Sequence, residues 1–375
     1  MQLPNHNKLE ISKLAAVFSD VSNSYKFYWF LSILDILQES DNTLIPINEI
    51  LLRMVANVWY PLDYYKLSFG KNDGFKSIAH FITGKIKIDN NPNTPSLIDQ
   101  IKSKLPPEEQ NSLNARVNTL INYVPYRFVR PFFSEETSGI SDSQVNSKIK
   151  RLLDQYFHDS PNRVIYKFVD KDKNKFIEIN PVWRDYLNQH QGILRGFINW
   201  HLIKFLHKNN PNVIGLSEKL VKPIQRDLKD ANKFWKEYLR NENTPIKCIY
   251  SGQNITLANL SLDHFLPWSL VAHDLLWNII PTPKSVNSSK SDKIPSVEPY
   301  LKKFIQLQYD AFKFHSERGS TALLEDYSQI FGQTTDEIIL KPFEDFSEGL
   351  SKIVLPQIQT ARNMGFDYPF IYKII

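Results

Sequence analysis

Asp263 and His264 stand side by side at the end of the apolar-rich run Leu257 to Leu262. Asn278 follows the histidine by 14 residues, Asn287 by 23 and Lys290 by 26. These are the residue types that hydrolysis of a phosphodiester needs. An imidazole that is neutral near pH 7 can take the proton of an attacking water. The Asp263 carboxylate and the Asn287 carboxamide offer hard oxygen ligands. They suit Mg²⁺, with Mn²⁺ as a substitute, because Mg²⁺ keeps several waters and takes few protein ligands. Such an ion polarises the scissile phosphate and stabilises the departing oxygen. Lys290 brings a point charge for a phosphate oxygen, and Lys284 and Lys293 flank the same stretch with two more. Asn278 suits a supporting task, bonding backbone near His264.

Something must hold these groups together. Lys247 to Tyr250 reads as a short strand ending at the turn pair Ser251-Gly252, with Leu257 to Leu262 as the return strand. Adjacent strand residues point to opposite faces. Asp263 and His264 therefore share a site only if the strand ends or bends there, and Pro267 just beyond favours that. Ser285 to Lys293 lacks glycine and proline and is stopped by Pro295, so a short helix is expected. Asn287 and Lys290, three apart, then lie on one face of it.

The run Leu262-Asp263-His264-Phe265-Leu266-Pro267-Trp268-Ser269, then Trp277-Asn278, then Asn287 to Pro295, resembles an HNH endonuclease of the ββα-metal (His-Me finger) class. It is particularly similar to the HNH module of the RNA-guided CRISPR nuclease. The resemblance covers residues 246–296. It implies His264 as general base, Asp263 and Asn287 as metal ligands, Asn278 as the middle residue that fixes the loop, and DNA as substrate, with RNA an alternative. It also suggests a restriction or anti-phage defence role, with a homodimer or a defence-system protein as partner. Many members carry paired Cys-x-x-Cys motifs that bind a structural zinc. Here Cys248 is the single cysteine of the chain and Ser251 stands in the place of the second thiol, so no structural zinc is expected.

The whole chain sets the frame. Its 375 residues can bury a large core, and length suggests two or three domains. With 42% hydrophobic residues, 24 Phe, 17 Tyr and only 12 Gly, it reads as packed helices rather than a disordered scaffold. A net charge of +5 permits a nucleic-acid partner without requiring one. The polar N-terminus is not a secretory signal, no membrane segment is read, and a cytoplasmic setting is expected.

The expected fold is α+β: mostly helical, with a helical N-terminal domain and a ββα-metal (HNH) module. Residues 1–210 form the N-terminal region, for substrate selection or gating. Helices are expected over 8–40 with Ser24 as a cap, then from Glu49 to Trp59 with Pro61 ending it. More follow at 74–84, 96–105, 107–122 and 183–206. Val164 to Val169 and Lys175 to Ile179 read as a hairpin around Asp170 to Asn174. Val124 to Pro131 breaks the helical pattern, and Glu135 to Ser147 reads as a loop. Residues 211–245 form a basic helical connector, 246–296 the nuclease module, and 297–375 a helical C-terminal region. In the last, helices are expected at 301–314, 321–330 and 337–354, with an aromatic tail packing back.

Other candidates have plainer readings. Between Lys204 and Arg240 nine basic residues face four acidic ones, which fits a phosphate-facing helix or a solvated one. His273-Asp274 reads as a loop-stabilising hydrogen bond or cap, and Trp268 and Trp277 as module core. Arg127 and Arg130 read as structural partners beside Pro125 and Pro131. No P-loop, dinucleotide fingerprint or Gly-x-Ser-x-Gly motif is present.

Overall fold

A computed structural model describes every residue except Met1, Asn72, Asn90, Asn91, Lys173, Ile224, Gln225, Glu242, Asn243, Thr244, Ser320, Ile374 and Ile375. Parts of the expected hairpin turn and of the expected connector therefore lie outside the described residues. The chain is mostly helical with small sheets, as expected. It divides into an N-terminal unit, Met1–Pro211 with Lys219–Lys222, and a C-terminal unit, Asn212–Glu218 with Pro223–Ile375. No helix among the described residues is long and apolar enough to cross a membrane.

The N-terminal unit is built on the helix Tyr25–Glu39, which buries Phe27, Tyr28, Trp29 and Phe30 in succession. Four neighbouring aromatics cover all sides of a helix, so it must be wrapped rather than laid on a surface. The antiparallel hairpin β2 (Tyr166–Lys171) and β3 (Asn174–Ile179) is joined by a three-residue strand β1 (Leu44–Pro46), in the order β1-β3-β2. Its turn places Asp172 at φ 51°.

Several expectations about this unit need correction. Residues 8–40 are not one helix: Ile11–Ala15 and a 3₁₀ turn Ala16–Phe18 precede Tyr25–Glu39. Ser24 sits at the N-cap position but makes no cap bond. Its hydroxyl donates instead to Asp73 Oδ2 at 2.6 Å. Pro61 does not end the second helix, because Ile47–Trp59 widens into a π-turn over Tyr60–Tyr64 around the missing N–H. Val124–Val129 is helical, since Pro125 stands in the first turn, where its missing N–H costs nothing. Helix Asp142–Asp159 takes the end of the expected loop, while His190, at φ −112°, splits 183–206 into two helices. Arg127 and Arg130 pair with Asp142 at 3.2 and 3.5 Å.

In the C-terminal unit, the helix Lys229–Asn241 buries Ala231, Phe234, Trp235 and Tyr238 along one stripe and leaves Lys233, Lys236 and Arg240 exposed. The long helices Val297–Glu317 and Phe343–Met364 pack around Phe304, Phe312, Tyr327 and Phe346. Full burial of each such ring contributes about 1.5–3 kcal/mol. The expected helix 337–354 is interrupted between Thr335–Ile339 and Phe343–Met364 by Pro342. The tail does return: Phe366 and Phe370 are buried, Phe370 N donates to Ile294 O at 2.8 Å, and Phe370 O accepts from Ser296 N at 3.0 Å.

Candidate functional site

Two strands and a helix frame the site. β4 (Leu260–His264) runs antiparallel to β5 (Ile279–Pro283), with His264 opposite Ile279 and Asp263 opposite Ile280. The helix Lys284–Lys290 follows β5 directly. This corrects the expected pairing. Lys247 to Tyr250 is no partner strand of β4. It forms a tight turn in which Lys247 bridges Asn254, Cys248 N donates to Gln253 O at 2.8 Å, and Gly252 adopts φ 71°. β5 carries Pro281 and Pro283, which a two-stranded sheet tolerates because each strand has a free edge.

β4 ends at His264, and Pro267 opens the short helix Trp268–Val271. Asn278 closes this loop from below. Its Oδ1 accepts from Leu266 N and its Nδ2 donates to Leu266 O, both at 2.8 Å, while its own carbonyl accepts from Phe265 N. A buried carboxamide satisfied on both sides fixes the chain just beyond the histidine. The turn that carries Asn278 is gripped in its turn. Gln308 Nε2 donates to Ile279 O at 2.9 Å, Trp235 Nε1 donates to the same carbonyl at 3.0 Å, and Asp326 Oδ2 accepts from Leu276 N at 2.7 Å. Phe265 stacks on Phe304 with centroids 4.0 Å apart.

Asp263 is 4% exposed. Its Oδ1 accepts from Lys290 Nζ and its Oδ2 from Tyr250 OH, each at 3.1 Å. Burial pushes its carboxyl pKa up. The Lys290 ammonium pulls the other way but does not win. The Tyr250 phenol is pushed well above its usual range, by burial first and then by the Asp263 charge. Lys290 is fully buried and also donates to His264 O at 2.7 Å. The expectation that Lys290 meets a substrate phosphate is therefore overturned: the helix points it into β4, where its charge answers Asp263.

Asn287 lies on the same helix face. Its Nδ2 donates to Leu262 O at 2.8 Å and to Ser261 Oγ at 2.9 Å, which leaves its Oδ1 without a protein donor among the described residues. Lys284 and Lys293 are exposed. Lys293 Nζ donates to Ser289 O at 3.0 Å and lies over the Phe370 ring, so it serves its own helix end. Trp277 is buried. Trp268 is 8% exposed with the Arg226 guanidinium 5.7 Å from its ring centroid.

The His264 side chain is 4% exposed, and its Nε2 lies 2.8 Å from Asp274 Oδ1. Asp274 Oδ2 accepts from Asp227 N at 3.2 Å. Asp274 reads from sequence only as a loop-stabilising residue. Its bond does stabilise the loop, but its partner is the candidate base itself. Nothing periodic marks it, because the loop from Phe265 to Leu275 has to fold back before the two meet. Tyr250 likewise reaches Asp263 only through the fold of the chain.

Thus the helix sets Asn287 and Lys290 against three consecutive residues of β4, Leu262, Asp263 and His264. No group of three or more His, Cys, Asp or Glu side chains that could hold a metal ion occurs among the described residues. Oxygen lone pairs nevertheless remain on Asp263 and Asn287. A carboxylate has about four lone-pair sites, of which Lys290 and Tyr250 take two, and Asn287 Oδ1 takes no protein donor.

A family model described as HNH endonuclease matches residues 248–296. That span holds Tyr250, Asp263, His264, Asp274, Asn278, Asn287 and Lys290. The match supports membership of this segment in the HNH endonuclease family, and with it a nuclease or hydrolase class of activity. No curated protein and no solved structure matches the chain.

Proposed function

We propose that the chain is a metal-dependent endonuclease that hydrolyses DNA phosphodiester bonds at the end of β4. The observation that carries this reading is the docking of the helix Lys284–Lys290 on β4. It sets Asn287 against Leu262 and Lys290 against Asp263 and His264. His264 acts as general base. It takes a proton from water as the water oxygen bonds to phosphorus, and the bond to the departing oxygen breaks, that oxygen gaining a proton from solvent. Asp263 and Asn287 would hold a Mg²⁺ or Mn²⁺ ion, which when bound supplies positive charge to the scissile phosphate and the departing oxygen. Lys290 holds the Asp263 carboxylate in place, Asn278 fixes the loop, and exposed Lys284 is available to a flanking phosphate. One centre per chain cuts one strand, so a double-strand break takes a second chain or a second event.

The test is cleavage of supercoiled plasmid, linear duplex, single-stranded DNA and RNA in a Mg²⁺, Mn²⁺ and chelator series. Wild type should cut DNA with metal and not with chelator, and His264→Ala should lose at least about 100-fold. Equal cleavage by both proteins would overturn the site, and cleavage of RNA alone would overturn the substrate.

A further inference from the structure

We propose that Asp274 is a positioning residue that selects the proton-accepting nitrogen of His264 and ties the imidazole to the segment before the helix Lys229–Asn241. The inference rests on the nuclease reading and deepens it by assigning which ring nitrogen works. His264 Nε2 and Asp274 Oδ1 are 2.8 Å apart, and the histidine is almost wholly buried. An ionised carboxylate only accepts, so the proton of a neutral imidazole must sit on Nε2. The lone pair is then on Nδ1, which has no hydrogen-bond partner among the described residues. Nδ1 is accordingly the atom that takes the proton from water. The imidazolium that forms keeps its Nε2–H bond to Asp274.

The second oxygen of Asp274 is also engaged. Asp227 N donates to Oδ2 at 3.2 Å, and Asp227 Oδ1 in turn accepts from Lys229 N at 3.1 Å, at the start of the helix. The carboxylate is thus a two-sided clamp with one oxygen on the ring and one on the backbone of the preceding segment. A loop-stabilising role alone would need only the second contact.

This geometry makes Asp274→Asn an unusually selective variant. Its single oxygen can keep the bond from Asp227 N while its amide N–H₂ turns to His264. A donor facing Nε2 makes that nitrogen the acceptor and moves the ring proton to Nδ1. The base is then blocked although the loop is still held. Asp274→Ala removes both contacts but leaves the ring free to adopt either tautomer.

The experiment compares single-turnover DNA cleavage by wild type, Asp274→Asn, Asp274→Ala and His264→Ala, with ¹⁵N NMR of the His264 ring and thermal unfolding of each. We expect Asp274→Asn to lower the rate at least about 100-fold with substrate affinity unchanged. Asp274→Ala should be the less damaged of the two, although it loses more stability. The His264 ring should carry its proton on Nε2 in wild type and on Nδ1 in Asp274→Asn. Full activity of Asp274→Asn, or a wild-type ring protonated on Nδ1, would overturn the proposal while His264→Ala remained inactive. Cleavage that survives His264→Ala would instead overturn the nuclease site itself.

Discussion

The two units handle charge differently. In ten ion pairs of the N-terminal unit, at least one side chain keeps 26% or more of its surface exposed. Arg163 with Glu136 is the most enclosed, and pairs such as Arg53 with Glu39 and Lys150 with Asp170 are open on one side or both. Its interior is given to rings. The C-terminal unit instead buries Lys290 with Asp263 at 0% and 4% exposure, and sets His264 against Asp274 one residue along. Desolvating two ions costs several kcal/mol each, and hydrophobic side chains of equal volume pack as well or better. A buried ion pair kept at that cost marks a place where charge is used. Such concentrations are characteristic of active sites.

The comparison can be broken most directly by removing one buried partner. Lys290→Met should leave the Asp263 carboxylate enclosed with only Tyr250, costing about 3–5 kcal/mol in urea unfolding. Adding Asp263→Asn to it should restore part of that loss. A cost below 1 kcal/mol for the single variant would mean that the pair is not enclosed as described.

Next in size is the polar grip on the turn before β5. Gln308 joins Ile279 O, Leu276 O and the Tyr327 hydroxyl, the last at 2.6 Å. Gln308→Leu strands these groups and should cost about 1–3 kcal/mol. It should also slow cleavage by loosening Asn278, and unchanged stability would contradict this.

A smaller, pH-dependent effect comes from His315. It is stacked on Phe234 with Nε2 3.0 Å from Phe234 O, and burial lowers its pKa below the ordinary value of 6.5. A group whose folded pKa is lowered binds fewer protons folded than unfolded. Its contribution to stability is present above the unfolded value and is lost as pH falls through 6.5 toward the folded value. Unfolding between pH 7.5 and 5 should therefore show a slope that His315→Gln flattens; an unchanged slope would count against it. Smallest of all, Lys150→Ala in the N-terminal unit should change stability by no more than about 0.5 kcal/mol, since its pair with Asp170 is exposed.

Much of the site could be read before any coordinates. The spacing of Asn287 and Lys290 put them on one helix face, and Pro267 ended the strand after His264. Both are local rules of chain geometry. What could not be read depends on distance in space. The Ser251-Gly252 pair looks like a hairpin turn, whereas the true partner of β4 is disguised by its prolines. Lys290 could be given a phosphate only while its burial was unknown. Asp274 and Tyr250 reach the site through chain reversals that leave no period in the sequence. The N-terminal unit departs from local rules in the same way. Pro61 and Pro125 read as breaks in the sequence, whereas the neighbouring backbone accommodates each ring.

The central claim is that the imidazole at position 264 performs the proton transfer. Chemical rescue tests it most directly. His264→Gly opens a cavity that free imidazole can enter, and DNA cleavage in Mg²⁺ is followed with and without added imidazole. The account predicts that His264→Gly is inactive alone and regains cleavage in proportion to imidazole, while Asp263→Asn regains none. Cleavage by His264→Gly at the wild-type rate without imidazole would contradict it.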